Sequence, residues 1–316
     1  MRYGWLVGLM SLLIICSLLV GVSNIQLLDL LQFKGQSTQL FFATRLPRTV
    51  CLILAGATSS ICGLIMQHLT QNKFVSPTTA GTMDSARLGI LVVMLFLPNT
   101  SLLLRSFSAF LFAFAGTLLF LFFARSFPQK KQLMLPLIGV MLGSIIGSIA
   151  TFFAYQFQLI QNMSSWLQGN FATIIRGDYE LLYLTVPLLV VIYFFAYRFT
   201  IIGLGESFAV NLGIDYQKMQ LLGIGLVSLA SAVVLIMVGS IPFLGVIIPN
   251  ITARLYGDQV HKTIGFTALL GSIFLLFCDL VARLVIYPYE IPVSVIVGIL
   301  GAIIFLYLLI RGRKNA

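Results

Sequence analysis

The chain has 316 residues, of which 59% are hydrophobic and only 9% charged, against about 25% charged in a typical soluble domain. That balance excludes a water-soluble fold. With a hydrocarbon core about 30 Å thick and roughly 20 apolar residues per helical crossing, it leaves room for about ten crossings, read here as one polytopic domain over 1–316. The net charge of +10 does not indicate nucleic acid, because Lys and Arg stand singly at the ends of apolar stretches, where they set topology.

In chain order, the first apolar stretch runs from Trp5 to Val22. It is long and lacks a small-residue cleavage site, so it is read as a retained first span rather than a signal peptide. Further spans are predicted near 46–68, 80–97, 106–124, 134–156, 181–198, 219–239, 243–255, 264–287 and 293–310. The eighth is short and meets Pro242 and Pro249, which predicts a broken or partial crossing. An even number of spans puts both termini on one side, together with Arg2, Lys73, Arg125, Lys130, Lys131, Arg198, Lys218, Arg254, Lys262, Arg311, Arg313 and Lys314. By the positive-inside rule that side is the cytoplasm, leaving Lys34, Arg45, Arg48, Arg105, Arg176 and Arg283 outside.

Few residues can carry chemistry. Cys16, Cys51, Cys62 and Cys278 fall in apolar segments without CxxC spacing, and His68 and His261 lie in separate polar loops. Neither a disulfide framework nor a metal or cofactor site is expected. No GxxxxGK[ST] loop, HExxH or GxSxG stands in the sequence, so no catalytic site is assigned and energy for any transport must come from elsewhere. Intramembrane charge is confined mainly to Asp84, Arg87 and Asp279, whereas proton-driven carriers use buried ionisable relays.

Four features stand out. Arg45-Leu46-Pro47-Arg48 opens the second span at its outer end, where Pro47 suits a first helical turn. Its arginines either snorkel to lipid phosphate or dock an acidic partner. Asp279 and Arg283 lie four apart and share a helix face, so an ion pair is expected there, with Arg283 as a third outward cation. Gly139, Gly143 and Gly147 form two GxxxG steps, and Gly298 and Gly301 thin the tenth span; helix packing and a pathway role remain open for both. Between the sixth and seventh spans, Gly203 to Ile214 mixes glycines with Phe208 and Leu212 on one helical face, which suits a docking helix or one lying on lipid.

These residues fall into ordered blocks that resemble the permease family of ATP-binding-cassette importers for iron-siderophores, haem and cobalamin. The first block is Arg45-Leu46-Pro47-Arg48 followed by Gly56-Ala57, Gly63, Gln67, Asn72, Pro77 and Gly81. Trp166-Leu167 with Gly169 resembles an outer element, and Gly203-Leu204-Gly205-Glu206 through Ala209, Leu212 and Gly213 resembles the coupling loop. Gly239 through Pro249, then Arg254, Asp279, Arg283, Glu290, Ile291 and Pro292, is similar to the C-terminal signature.

The resemblance implies an all-α integral membrane protein of about ten transmembrane helices with the type II importer architecture, in a bacterial cell membrane with both termini cytoplasmic. It also implies partners: a second permease subunit, two cytoplasmic ATP-binding subunits, an extracytoplasmic substrate-binding protein and membrane lipid, with a ferric siderophore as substrate and no nucleic acid. Arg45, Arg48 and Arg283 match docking positions for the binding protein. Glu206, Phe208, Ala209, Leu212 and Gly213 match the loop that meets the ATPase.

Two departures stand out against that family. Asp84-Ser85-Ala86-Arg87 replaces a common Gly-Ala pair, placing charges near the inner end of the third span, and Asn250 replaces a common His. The Asp84 variant is similar to the ferric-siderophore branch. The alternatives are haem or cobalamin import, an ion- or proton-coupled carrier using Asp84, Arg87 and Asp279, and a scaffold without transport activity.

Overall fold

Inside a bilayer the backbone must satisfy its own hydrogen bonds, and for apolar runs of this length the α-helix is the local solution. In a computed structural model, which describes residues 2–21, 36–125, 134–161, 168–177 and 179–313, every element is helical. Helix α1 (Arg2–Leu19) is followed by α2 (Leu46–Leu69), α3 (Thr82–Phe96), α4 (Leu102–Arg125), α5 (Met134–Gln156) and α6 (Thr185–Ile202). A short α7 (Glu206–Asn211) leads to α8 (Tyr216–Val238), α9 (Leu244–Tyr256), α10 (Val260–Leu284) and α11 (Val293–Arg313). Seven described helices are long and apolar enough to cross a membrane. The other segments expected to cross, α1, α3 and α9, are shorter, with apolar or helical runs of 16, 15 and 13 residues. Lys34, Lys130, Lys131, Lys314, Trp166 and Leu167 lie outside the described residues.

The second helix does not begin at Pro47. Helical structure runs continuously from Thr38 to Leu69, with a π-helical turn at Phe41–Arg45 just before the proline. Pro47 has no N–H to give the Ala43 carbonyl one turn back. That carbonyl instead accepts the backbone N–H of Arg176 at 2.9 Å. The π-turn and the borrowed donor together accommodate a proline inside a long helix.

Helix α2 is the axis of the bundle, 78% buried over its most apolar window. Glycines let its neighbours approach backbone to backbone: a Cβ on Gly63 would stand 1.9 Å from the Gly245 carbonyl oxygen of α9, and one on Gly56 would stand 2.6 Å from that of Gly271 in α10. Pro249 cannot donate to the Gly245 carbonyl, so α9, though continuous, presents that oxygen to the α2 backbone. Helix α9 is thus a short, intact helix packed on α2, rather than a broken one.

The GxxxG face of α5 packs within the same chain. A Cβ on Gly139 would stand 2.0 Å from the Thr79 carbonyl oxygen, and one on Gly143 would stand 2.6 Å from Asp84 Oδ2. Gly301 of α11 similarly receives Phe243, whose Cβ lies 2.9 Å from the added atom, while Gly298 meets only Pro242 at an ordinary 3.7 Å. Gly139, Gly143 and Gly301 thus lie in close contacts within this chain.

The two ends of the bundle differ. At one end are the start of α1 against Tyr256 and Phe266, the short α7, and Arg254 donating to the Leu308 carbonyl near the end of α11. At the other are the last turn of α1, Arg45, Arg48, Asp279, Arg283 and Glu290. Both chain ends therefore lie on the α7 side.

Replacing Gly63 by Ala should cost about 1–3 kcal/mol, because the methyl has no room unless α2 and α9 separate. Gly8→Ala, with nothing within 4 Å of the added Cβ, should change stability by less than about 0.5 kcal/mol. Thermal unfolding of the detergent-solubilised chain checks both; equal midpoints for the two variants would contradict the backbone contact.

Candidate functional site

The end of the bundle away from α7 is built on Asp279, a fully buried carboxylate of α10. Arg48 donates to its Oδ1 from Nη2 at 2.7 Å and from Nε at 3.1 Å, and reaches Glu290 Oε2 through Nη1 at 2.7 Å. Arg283, one turn along α10, donates to Oδ2 of the same carboxylate. Arg283 Nη1 also donates to the carbonyls of Ser17 and Val20, each at 2.9 Å, and Arg45 Nη1 to those of Leu18 and Leu19 at 2.9 and 2.7 Å. The last four carbonyls of an α-helix have no partner within it. Here two arginines satisfy that set at the end of α1, where cations also oppose the negative end of the helix dipole.

The expectation of three outward cations is corrected by this geometry. Arg45, Arg48 and Arg283 do gather at one membrane end, but they are 7%, 9% and 4% exposed and already hold acceptors within the chain. A guanidinium withdrawn from water needs such partners, and nearby carboxylates and carbonyls supply them. The expected Asp279–Arg283 pair forms. Sequence reasoning missed its connection to α1, because the acceptors are backbone carbonyls and carry no residue signature. Arg176 is the exposed arginine near this end, tied to Ala43 only through its backbone.

At the opposite end, Gly205 (φ +116°) starts α7 and Gly213 (φ +73°) ends it. Both are in the left-handed region that favours glycine. The Gly213 and Ile214 N–H groups close the helix onto the carbonyls of Val210 and Ala209. Ala209 is fully buried, so it seats the helix on the bundle rather than meeting a partner. Phe208 (59% exposed), Leu212 (62%), Leu204 and Val210 project outward beside Glu206.

Around α7 the polar groups are structural. His68 bonds the carbonyls of Leu64 and Asp258, Lys73 pairs with Asp258, and Asn250 donates to the carbonyls of Lys73 and Val246. Asp215 caps α8 by accepting the Lys218 N–H at 3.0 Å, and that hydrogen bond holds its carboxyl below the ordinary carboxylate range.

The third charged locus is Asp84 with Arg87, paired at 3.0 Å. It stands in the first turn of α3, at the start of the third span as expected. Helix α3 begins at Thr82, part-way along α5, and its first turn meets Gly143 and Gly147. Among the described residues no group of three or more His, Cys, Asp or Glu could hold a metal ion.

The profile of the FecCD transport family matches residues 9–311. The chain belongs to the FecCD transport family. Among its relatives, the petrobactin import system permease protein of Bacillus subtilis is 47% identical over 316 residues, covering 100% of both chains. The ferric-anguibactin transport system permease protein of Vibrio anguillarum is 41% identical over 298 residues, covering 94% of this chain and 95% of its own. A solved metal-chelate type ABC transporter in an inward-facing conformation superposes with a TM-score of 0.79 at 26% identity, covering 98% of this chain and 99% of its own. This FecCD chain is therefore a multi-pass membrane transport protein, and the cluster on Asp279 and the exposed face of α7 are features of a transporter's two ends.

Asp279→Ala would leave Arg48 and Arg283 buried without their shared counter-ion, and should destabilise the chain by about 3–5 kcal/mol. Loss of folded protein in size-exclusion chromatography, with partial recovery in Asp279→Glu, is the expected outcome. A fully stable Asp279→Ala chain would contradict the cluster's structural role.

Proposed function

We propose that this chain is the permease subunit of an ATP-driven importer of ferric siderophores. The observation that carries the reading is end-to-end identity with a petrobactin import permease, joined to an exposed apolar helix at the end where both termini lie. In this reading ten helices cross the membrane, including the short α1, α3 and α9, and both termini are cytoplasmic. Two permease subunits form the path, and α7 docks on a cytoplasmic ATP-binding subunit through Phe208 and Leu212. The ATP site belongs to that partner.

A substrate-binding protein docks at the opposite end. The arginine cluster there carries three guanidiniums against two carboxylates, a net +1 (3 − 2), and Arg176 stands exposed nearby. Arg45, Arg48 and Arg283 then act in docking by holding the outer ends of α1, α2 and α10 in register and by lending that end its positive charge. The secondary-carrier reading is weakened by the same cluster: Asp279 is held by two arginines and is poorly placed to cycle a proton.

Proteoliposomes holding the chain, its ATPases and its binding protein should accumulate radioiron-labelled petrobactin only with ATP. Uptake without ATPase or ATP would contradict the reading. Phe208→Asp should abolish stimulated ATP hydrolysis while the chain stays folded. Arg176→Glu should weaken docking of the binding protein several-fold, and the loss should shrink at high salt; an unchanged affinity would remove Arg176 from the docking surface.

A further inference from the structure

The groove between α3 and α5 sets an ion pair and three hydroxyls among apolar walls that include Val140, Ala150 and Phe152. Its floor is Gly143 and Gly147, and its walls carry Asp84, Arg87, Ser144, Ser148 and Thr151 around a volume of about 640 Å³. The three hydroxyls are exposed, and each spends its proton on a carbonyl of its own helix, at 2.7–2.8 Å. Their oxygens face the groove as acceptors and dipoles rather than as donors.

Depth makes this polarity informative. Gly143 and Gly147 lie nine and thirteen residues after Met134 in a helix of 23 residues. At 1.5 Å per residue that is roughly 14 and 20 Å along a helix of about 35 Å, so the Asp84–Arg87 pair stands near mid-membrane. A charged side chain there costs several kcal/mol unless it faces a water-filled cavity or a partner, and it marks a path by default.

The two charges are not equivalent. Asp84 is pressed onto α5, where only glycine leaves room for its carboxylate. Arg87 gives one of its five N–H donors to Asp84 Oδ1; its Nε–H is buried out of an occupant's reach, and the rest of the side chain, 12% exposed, lines the groove. An occupant of this groove must therefore offer hydrogen-bond acceptors to a guanidinium, and a bidentate fork favours anionic oxygens.

We propose that Arg87, held in place by Asp84, forms a mid-membrane contact site for the anionic oxygen atoms of an iron(III) chelate, and that Arg87 selects cargo by charge. This rests on the importer reading above. Asp84 neutralises Arg87 while the path is empty, which keeps the contact weak enough for the chelate to leave, as conduction requires. The groove is then the half of the path that this chain supplies.

In proteoliposomes of the complete transporter, Arg87→Gln should lower the maximal rate of radioiron-petrobactin uptake at least tenfold while the half-saturating concentration, set outside the membrane, moves less than twofold. Arg87→Lys should recover a third or more of the rate. Normal uptake by Arg87→Gln, or an Arg87→Lys variant as slow as Arg87→Gln, would overturn the proposal. Absence of uptake by the unaltered transporter would instead count against the importer reading.

A second measurement does not depend on cargo. In a cysteine-free background of the assembled complex, Ser148→Cys should react with a membrane-impermeant thiosulfonate at least tenfold faster than Ile145→Cys on the apolar face of α5. Equal rates would place the groove against lipid. Spontaneous disulfide linkage of two copies through Ser148→Cys, with no reagent access, would make it a subunit interface; either result overturns the proposal.

Discussion

Asp279 is the point at which the end of this protein away from α7 is tied together. One buried carboxylate receives Arg48 from α2 and Arg283 from its own helix, and those guanidiniums extend to Glu290 and to the end of α1. Each participant would be costly alone in a low-dielectric setting, and together they satisfy one another except at the buried Arg283 Nε–H. A helix of 18 residues, marginal for a crossing, is thereby anchored at its C-terminal carbonyls by side chains from two longer helices. The same cluster leaves one positive charge in excess at that end.

The interior follows a different rule. Where no hydrophobic force drives helices together, close packing of small residues does, and the Gly63–Gly245 and Gly56–Gly271 contacts place α9 and α10 directly on α2. On α5 the glycine face does two jobs. Gly139 and Gly143 admit the backbone that precedes α3, and Gly143 also leaves room for the Asp84 carboxylate. Starting a helix part-way through the bundle is what brings a charged pair beside the middle of α5 without a charged residue at the middle of any long span. At the α7 end, by contrast, buried Ala209 seats a helix whose apolar side chains point away from the bundle.

Much of this was legible in the sequence. Apolar run length gave the helices within a few residues, and the i, i+4 spacing of Asp279 and Arg283 gave their pair. Glycine punctuation at Gly205 and Gly213 gave the short helix with Phe208 and Leu212 outward. What was not legible depends on contacts between distant segments. The burial of Arg45, Arg48 and Arg283 is decided by carbonyls of α1 and by Glu290, which no local pattern connects to them. Pro47 looked like a helix start because its missing N–H fits one; the π-turn before it and the Arg176 donor made it an interior residue. The placement of Asp84 against α5 required knowing that α3 begins beside Gly143.

The central claim is that Arg45, Arg48 and Arg283 form a buried clamp between α2, α10 and α1. A double-mutant cycle tests it most directly, combining Arg48→Met with Asp279→Leu and reading the stability of the solubilised chain. The buried pair predicts a coupling of roughly 1–3 kcal/mol, with the double variant more stable than the additive sum. Additive effects within about 0.5 kcal/mol would mean that the two side chains do not depend on one another, and would contradict the clamp.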